Sequence, residues 1–142
     1  MLQSYAYLFW RNVLDLKVVT KALLESEEGF NVTQSDESLI ITNDVGINAV
    51  LVVQGSQIIV ESLLFQADAV ADQAALDDYI LKTHKLVPLT AVGKSEVEGQ
   101  FYYSAFGALS SESKVESVVL EVEELFSNVA ELLEGYSEFL KK

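Results

Sequence analysis

Cysteine is absent from the 142 residues, and histidine, proline and tryptophan each occur once. Without thiols there are no disulfides, no thiolate metal ligands and no cysteine nucleophile. Nothing ties the chain to an oxidising compartment, so the cytoplasm is the expected location. The single histidine, His84, leaves general acid–base chemistry short of its commonest agent. Positive charge is scarce as well: nine Lys and Arg against 22 Asp and Glu give a formal net charge of −13. A field of that sign repels nucleic acid and anionic membrane, and it suits either a cationic protein partner or solubility alone. Long apolar runs are missing too. The stretch Tyr5 to Trp10 is ended by Arg11, Asp15 and Lys17. It falls short of the roughly 18 residues of a membrane span, and it lacks the basic flank and cleavage site of a signal peptide. No direct membrane insertion is expected.

What is present reads as one α+β domain over residues 1–142, long enough to bury roughly 70% of the surface of its unfolded chain. Between Asn12 and Ser26, Leu16, Val19, Ala22 and Leu23 fit one helix face, and Gly29 is a stop. The same period runs back through Val13, Phe9 and Tyr5 to Leu2, predicting one long helix; the alternative is an exposed aromatic arm. Strand-like runs follow at Phe30 to Gln34, Leu39 to Asn43, Ile47 to Val53 and Ile58 to Phe65. Gly55 in the last connection suits a tight hairpin. From Asp72 to Lys85 the period returns to three and four, with Asp72 as N-cap and Pro88 beyond the end. Thr90 to Val97 and Phe101 to Leu109 flank Glu98-Gly99-Gln100, a second hairpin. Aromatic residues alternate onto both sides of the latter strand, so both sheet faces are expected to be covered in part. The last helix is the longest, from Ser113 in a capping box with Glu116 to about Glu134. The order is α-β-β-β-β-α-β-β-α, a twisted antiparallel sheet with the first and last helices packed together on one face. The expected core includes Leu23, Ile41, Leu51, Ile59, Leu76, Ile80, Phe106, Val122 and Phe126.

The sequence assembles no catalytic set. His84, between Lys82 and Lys85, reads as helix-end chemistry. Asp68, Asp72, Asp77 and Asp78 lack the spacing of a calcium loop, and the carboxylates of the last helix lack the E-x-x-H partner of a di-metal site. The serines at 110, 111 and 113 have no G-x-S-x-G elbow, and Gly93 belongs to no phosphate-binding loop. No catalytic residue, cofactor site or metal site is therefore assigned. Between Glu112 and Glu138 eight glutamates stand against Lys114 alone. That excess exceeds what intrahelical pairs balance and marks Glu121, Glu124 and Glu131 as candidate partner-binding residues.

At Pro88-Leu89, Val92-Gly93, Tyr102-Tyr103 and Phe106-Gly107-Ala108-Leu109-Ser110 the chain resembles the YjfI-like bacterial proteins, a family labelled a domain of unknown function. The motifs P-L-x-x-V-G and Y-Y-x-x-F-G-A-L-S lead into the acidic final helix in the same order. The resemblance covers roughly Leu14 to Glu134 and leaves residues 1–12 as an N-terminal extension. It implies a fold similar to class I type III secretion chaperones: small, acidic, usually dimeric proteins that hold partner segments. It also implies an accessory role near envelope stress, with a phage-shock-type coiled-coil protein as partner, and a homodimer interface around Leu76, Tyr79 and Ile80 or at an exposed strand edge. The leading reading is a non-enzymatic, chaperone-like adaptor. A small-ligand-binding protein or carboxylate-based enzyme, and a purely structural homo-oligomer subunit, are the alternatives; flat apolar patches favour the adaptor and a deep pocket with converging carboxylates the enzyme.

Overall fold

The computed structural model describes residues 14–142. Helix α1 (Leu16–Leu24) starts where the Asp15 carboxylate accepts the Lys17 N–H at 2.9 Å. This cap sets the start later than the expected Asn12, while the proposed continuation to Leu2 and the aromatic arm at Tyr5 to Trp10 lie outside the described residues. Four strands follow: β1 (Asn31–Ser35), β2 (Ser38–Thr42), β3 (Asn48–Gln54) and β4 (Gln57–Gln66). Helix α2 (Gln73–Thr83) is capped by Asp72, whose carboxylate accepts the Ala75 N–H at 3.1 Å. Strands β5 (Ala91–Val97) and β6 (Gln100–Ser110) then lead to α3 (Val115–Gly135).

All strand pairs are antiparallel, in the order β1-β2-β3-β4-β6-β5. Two-residue turns close the hairpins foreseen at Gly55 and Gly99. In the latter, Glu98 at φ 51° and Gly99 at φ 80° supply the left-handed pair that matches strand twist. One expected cap is corrected. Helix α3 begins after Lys114 with no side-chain cap, because the Ser113 N–H is committed to the Ser110 carbonyl in the preceding turn. Beyond α3, the chain returns to the sheet end: Lys141 N–H donates to Ala69 O and Ala71 N–H to Phe139 O.

The pairing registers place Leu39, Ile41, Ala49, Leu51, Ile58, Val60, Val92, Tyr103 and Ala105 on one side of the sheet, and all are buried. All three described helices cover that side. α1 contributes Val19 and Leu23 and packs on α3; α2 contributes Leu76 and Ile80; α3 contributes Val118, Val122, Leu125, Phe126 and Val129. Phe30 and Phe126 meet with ring centroids 5.0 Å apart. The expected packing of first and last helices on one face is found. The expected cover on both faces is not, since no described helix reaches the other side. Ile59 and Phe106, placed in the core by sequence, therefore point outward and are only half-buried. Their inward neighbours Ile58, Val60 and Ala105 take those places, because a one-residue change of parity moves a strand's whole apolar set to the opposite face.

Candidate protein-binding face

The side of the sheet that no described helix covers is apolar. Period-two alternation brings together Ile40 of β2, Val50 and Val52 of β3, Ile59 and Leu63 of β4, and Phe106 of β6. Ile40 and Val50 are 41% exposed and Leu63 is 44% exposed. A soluble chain rarely leaves neighbouring strands this apolar without a partner. The turns joining β1–β2, β2–β3 and β5–β6 frame the face with Asp36, Glu37, Asp44 and Glu98 and carry no lysine or arginine.

Near the middle of this face stands Glu61, opposite Val50 on β3 and Phe106 on β6. Ser95 of β5 donates to its Oε2 at 2.6 Å, and with that proton committed the Ser104 hydroxyl donates to Ser95 across 3.1 Å. The hydroxyl pair fixes the carboxylate. Beside it the β3–β4 ladder stops at the Val50–Glu61 pair, and a hollow of about 370 Å³ opens between Ala49, Val50, Glu61, Leu63, Val129 and Leu133. Ser62 Oγ bridges part of the gap by donating to Asn48 O at 2.7 Å.

The sequence-named residues fare unevenly. Glu121 does not face solvent. It is 6% exposed, laid over Gly107 of β6, where an added Cβ would stand 2.9 Å from its Cδ and closer still to Oε1. Burial, with Glu124 nearby, pushes its carboxyl above the ordinary range. Glu124 is half-buried and Glu131 exposed, so the three do not form one solvated face. Leu76 and Ile80 are 0% and 6% exposed, spent on the core of the chain. Tyr79 is 39% exposed and stacks near Tyr136 and Phe139, at 6.1 and 5.3 Å. The apolar side chains that the α2 region does expose are Leu81, Leu86 and Leu89.

His84 sits at the end of α2 as expected, but its ring is engaged elsewhere: Nε2 accepts the Val92 N–H of the edge strand at 2.9 Å, which requires the tautomer unprotonated there. Asn128 of α3 donates at 2.8 Å to both Pro88 O and Thr90 Oγ1, tying the entry of β5 to the helix. On the covered side, Tyr103 donates to Asp77 Oδ1 at 2.6 Å and Lys94 pairs with Asp77 Oδ2 at 2.9 Å. Burial resists charge on Asp77, but the Tyr103 hydroxyl and Lys94 outweigh it and hold its carboxyl below the ordinary range. Burial pushes the Tyr103 hydroxyl up, with Asp77 adding to the effect. An open hollow of about 440 Å³ lies beside Lys94, with Gln73, Gln100 and Phe101 on its wall. Its cation is already paired, and Asp68 is its one lining carboxylate.

Among the described residues, an antiparallel sheet with three helices on one side and an apolar face on the other makes an α+β architecture. The fold matches a chain of the HopA1–SchA chaperone–effector complex with a TM-score of 0.61 at 18% identity, covering 85% of this chain and 98% of that one. It also matches a chain of the ExsC–ExsE complex with a TM-score of 0.56 at 12% identity, covering 86% and 95%. The chain itself belongs to the family described as "Uncharacterized protein conserved in bacteria (DUF2170)", which it matches over residues 12–140. It is 32% identical over 127 residues to the Uncharacterized protein YjfI of Escherichia coli strain K12, covering 86% of this chain and 96% of that protein. The same figures hold for YjfI of Escherichia coli O157:H7.

Proposed function

We propose that this protein is a non-enzymatic, chaperone-like adaptor that holds a segment of another protein against the outer face of its sheet. The observation that carries this reading is the apolar face from Ile40 across Val50, Ile59 and Phe106, left bare because every described helix packs on the opposite side. The acidic turns around it steer a basic partner toward an apolar floor, a division of labour in which charge sets encounter and burial sets lifetime. Support also comes from one of the solved folds it resembles, that of a chain in a chaperone–effector complex. The family resemblance adds the setting: a cytoplasmic accessory role at envelope stress, with a phage-shock-type coiled-coil protein as the partner to try first. Self-association into a homodimer uses the α2 region through Tyr79, Leu81 and Leu86, which leaves the sheet face free.

The test is site-specific photo-crosslinking in the native bacterium, with the reactive residue at Ile40 or Val50 and a control at Leu120, 52% exposed on α3. The same partner band should form from both sheet positions and not from the control. Crosslinks confined to the helices, or none from the sheet, would refute the reading.

A further inference from the structure

Among the described residues, the outer face carries a single formal charge. Following the registers outward from Glu61, β4 shows Gln57, Ile59 and Leu63; β3 shows Asn48, Val50, Val52 and Gln54; the outward residues of β1, β2, β5 and β6 are likewise uncharged. A lone carboxylate there is expensive if a partner covers it without compensation, because an ion taken from water must find a counter-charge. Glu61 is also prepared to receive one. Ser95 holds Oε2, while Oε1 has no partner among the described residues. The hollow at the end of the β3–β4 ladder, lined by Val50, Glu61 and Leu63 with Val129 and Leu133 of α3, has room for an apolar side chain.

We propose that Glu61 makes this face selective for an apolar segment carrying a lysine or arginine, with an apolar neighbour entering the hollow and the cation closing on Oε1. The inference rests on the adaptor reading and adds the chemistry of the partner. A second copy fits poorly, since two such faces brought together place Glu61 and the acidic turns of one copy against those of the other, where like charges cost affinity. Among the described residues no cation stands on this face, so the counter-charge comes from what binds.

The test uses a displayed library of random twelve-residue peptides, selected on the full-length protein. The best peptide and its Arg→Gln form are then titrated against wild type, Glu61→Gln and Val50→Lys. Val50 is 41% exposed, so its lysine variant should fold, which circular dichroism checks. Selected peptides should hold one Lys or Arg flanked by apolar residues. Glu61→Gln should weaken the arginine peptide at least about tenfold and leave its glutamine form unchanged, as expected when one partner of a desolvated ion pair is removed. Val50→Lys should abolish both. Peptides that are sensitive to Val50→Lys but indifferent to Glu61→Gln overturn this inference and leave the adaptor reading standing. Peptides indifferent to Val50→Lys, or no peptides at all, overturn both. Two outcomes assign the face to another occupant and also overturn the inference: self-association abolished by Val50→Lys, read by sedimentation, or a gain in peptide affinity on Arg11→Gln, which would identify the chain's own N-terminal segment as the ligand.

Discussion

Replacing Gly107 with alanine puts a close helix–sheet contact to a quantitative test. The added Cβ would lie 2.9 Å from Glu121 Cδ and 3.0 Å from Cγ, so the whole end of that side chain must rotate and not only its oxygens. Overpacking of this kind costs about 1–3 kcal/mol. With an unfolding entropy of about 2.1 cal/mol/K per residue, or about 0.3 kcal/mol/K for this length, the melting temperature should fall by about 3–10 °C. The cause is isolated by repeating the change in a Glu121→Ala background. There the obstruction is gone, and alanine instead gains the about 0.5–1 kcal/mol that a glycine in a strand gives up. The double-mutant cycle, read by urea denaturation, should thus return a coupling of about 1.5–4 kcal/mol. An equal penalty for Gly107→Ala in both backgrounds would refute the argument that Gly107 is glycine to make room for Glu121.

The same carboxylate should also set a pH dependence. Its folded-state pKa is raised above the ordinary 4.5, so the native state binds the proton more tightly; its stabilising contribution is complete below that value and is lost as pH rises through the folded pKa. Glu121→Gln should therefore be more stable than wild type at neutral pH, with the difference gone below pH 4.5, in urea titrations at both ends. Asn128→Ala leaves the buried Thr90 Oγ1 without its donor and should cost about 1–3 kcal/mol, measured by the same unfolding assay. His84→Ala removes the acceptor of the Val92 N–H and should speed hydrogen exchange at that amide while leaving the β4–β6 ladder protected. Lysine at Glu124 and Glu131 should slow association of the selected basic peptide at low salt and have no effect at high salt, by stopped-flow kinetics; unchanged rates would leave those glutamates a solubility device.

The fold was largely legible because its elements are punctuated by residues with local physical roles. Asp72 caps α2 as read, Gly55 and Gly99 close the hairpins as read, and the three-and-four spacing of Val118, Val122, Leu125 and Val129 buries that stripe of α3. The start of α3 was misplaced because Ser113 offers a capping hydroxyl and Glu116 a capping-box partner, while the preceding turn takes the Ser113 N–H first. The site was legible only in its charge. Eight glutamates between Glu112 and Glu138, on and around α3, suggest a single acidic surface. In three dimensions, the 3.6 period carries Glu121 round to the sheet while Glu131 stays in solvent.

The faces of the sheet are the instructive failure. In Ile58 to Phe65 both parities are apolar, and hydrophobicity alone cannot say which one meets the helices. The run nevertheless holds one charge, Glu61, and a carboxylate is far costlier beneath a helix layer than on an open face. Parity then assigns Ile59 to the side of Glu61, and Ile58 and Val60 to the core. The register across β6 extends the assignment to Phe106, and across β3 to Val50 and Val52. One acidic residue thus orients the sheet, and the same residue leaves an otherwise uncharged, apolar face with a preference for cations. An apolar face without Glu61 would be sticky toward any exposed strand or helix; with it, a covering segment that brings no counter-ion pays the desolvation of a carboxylate.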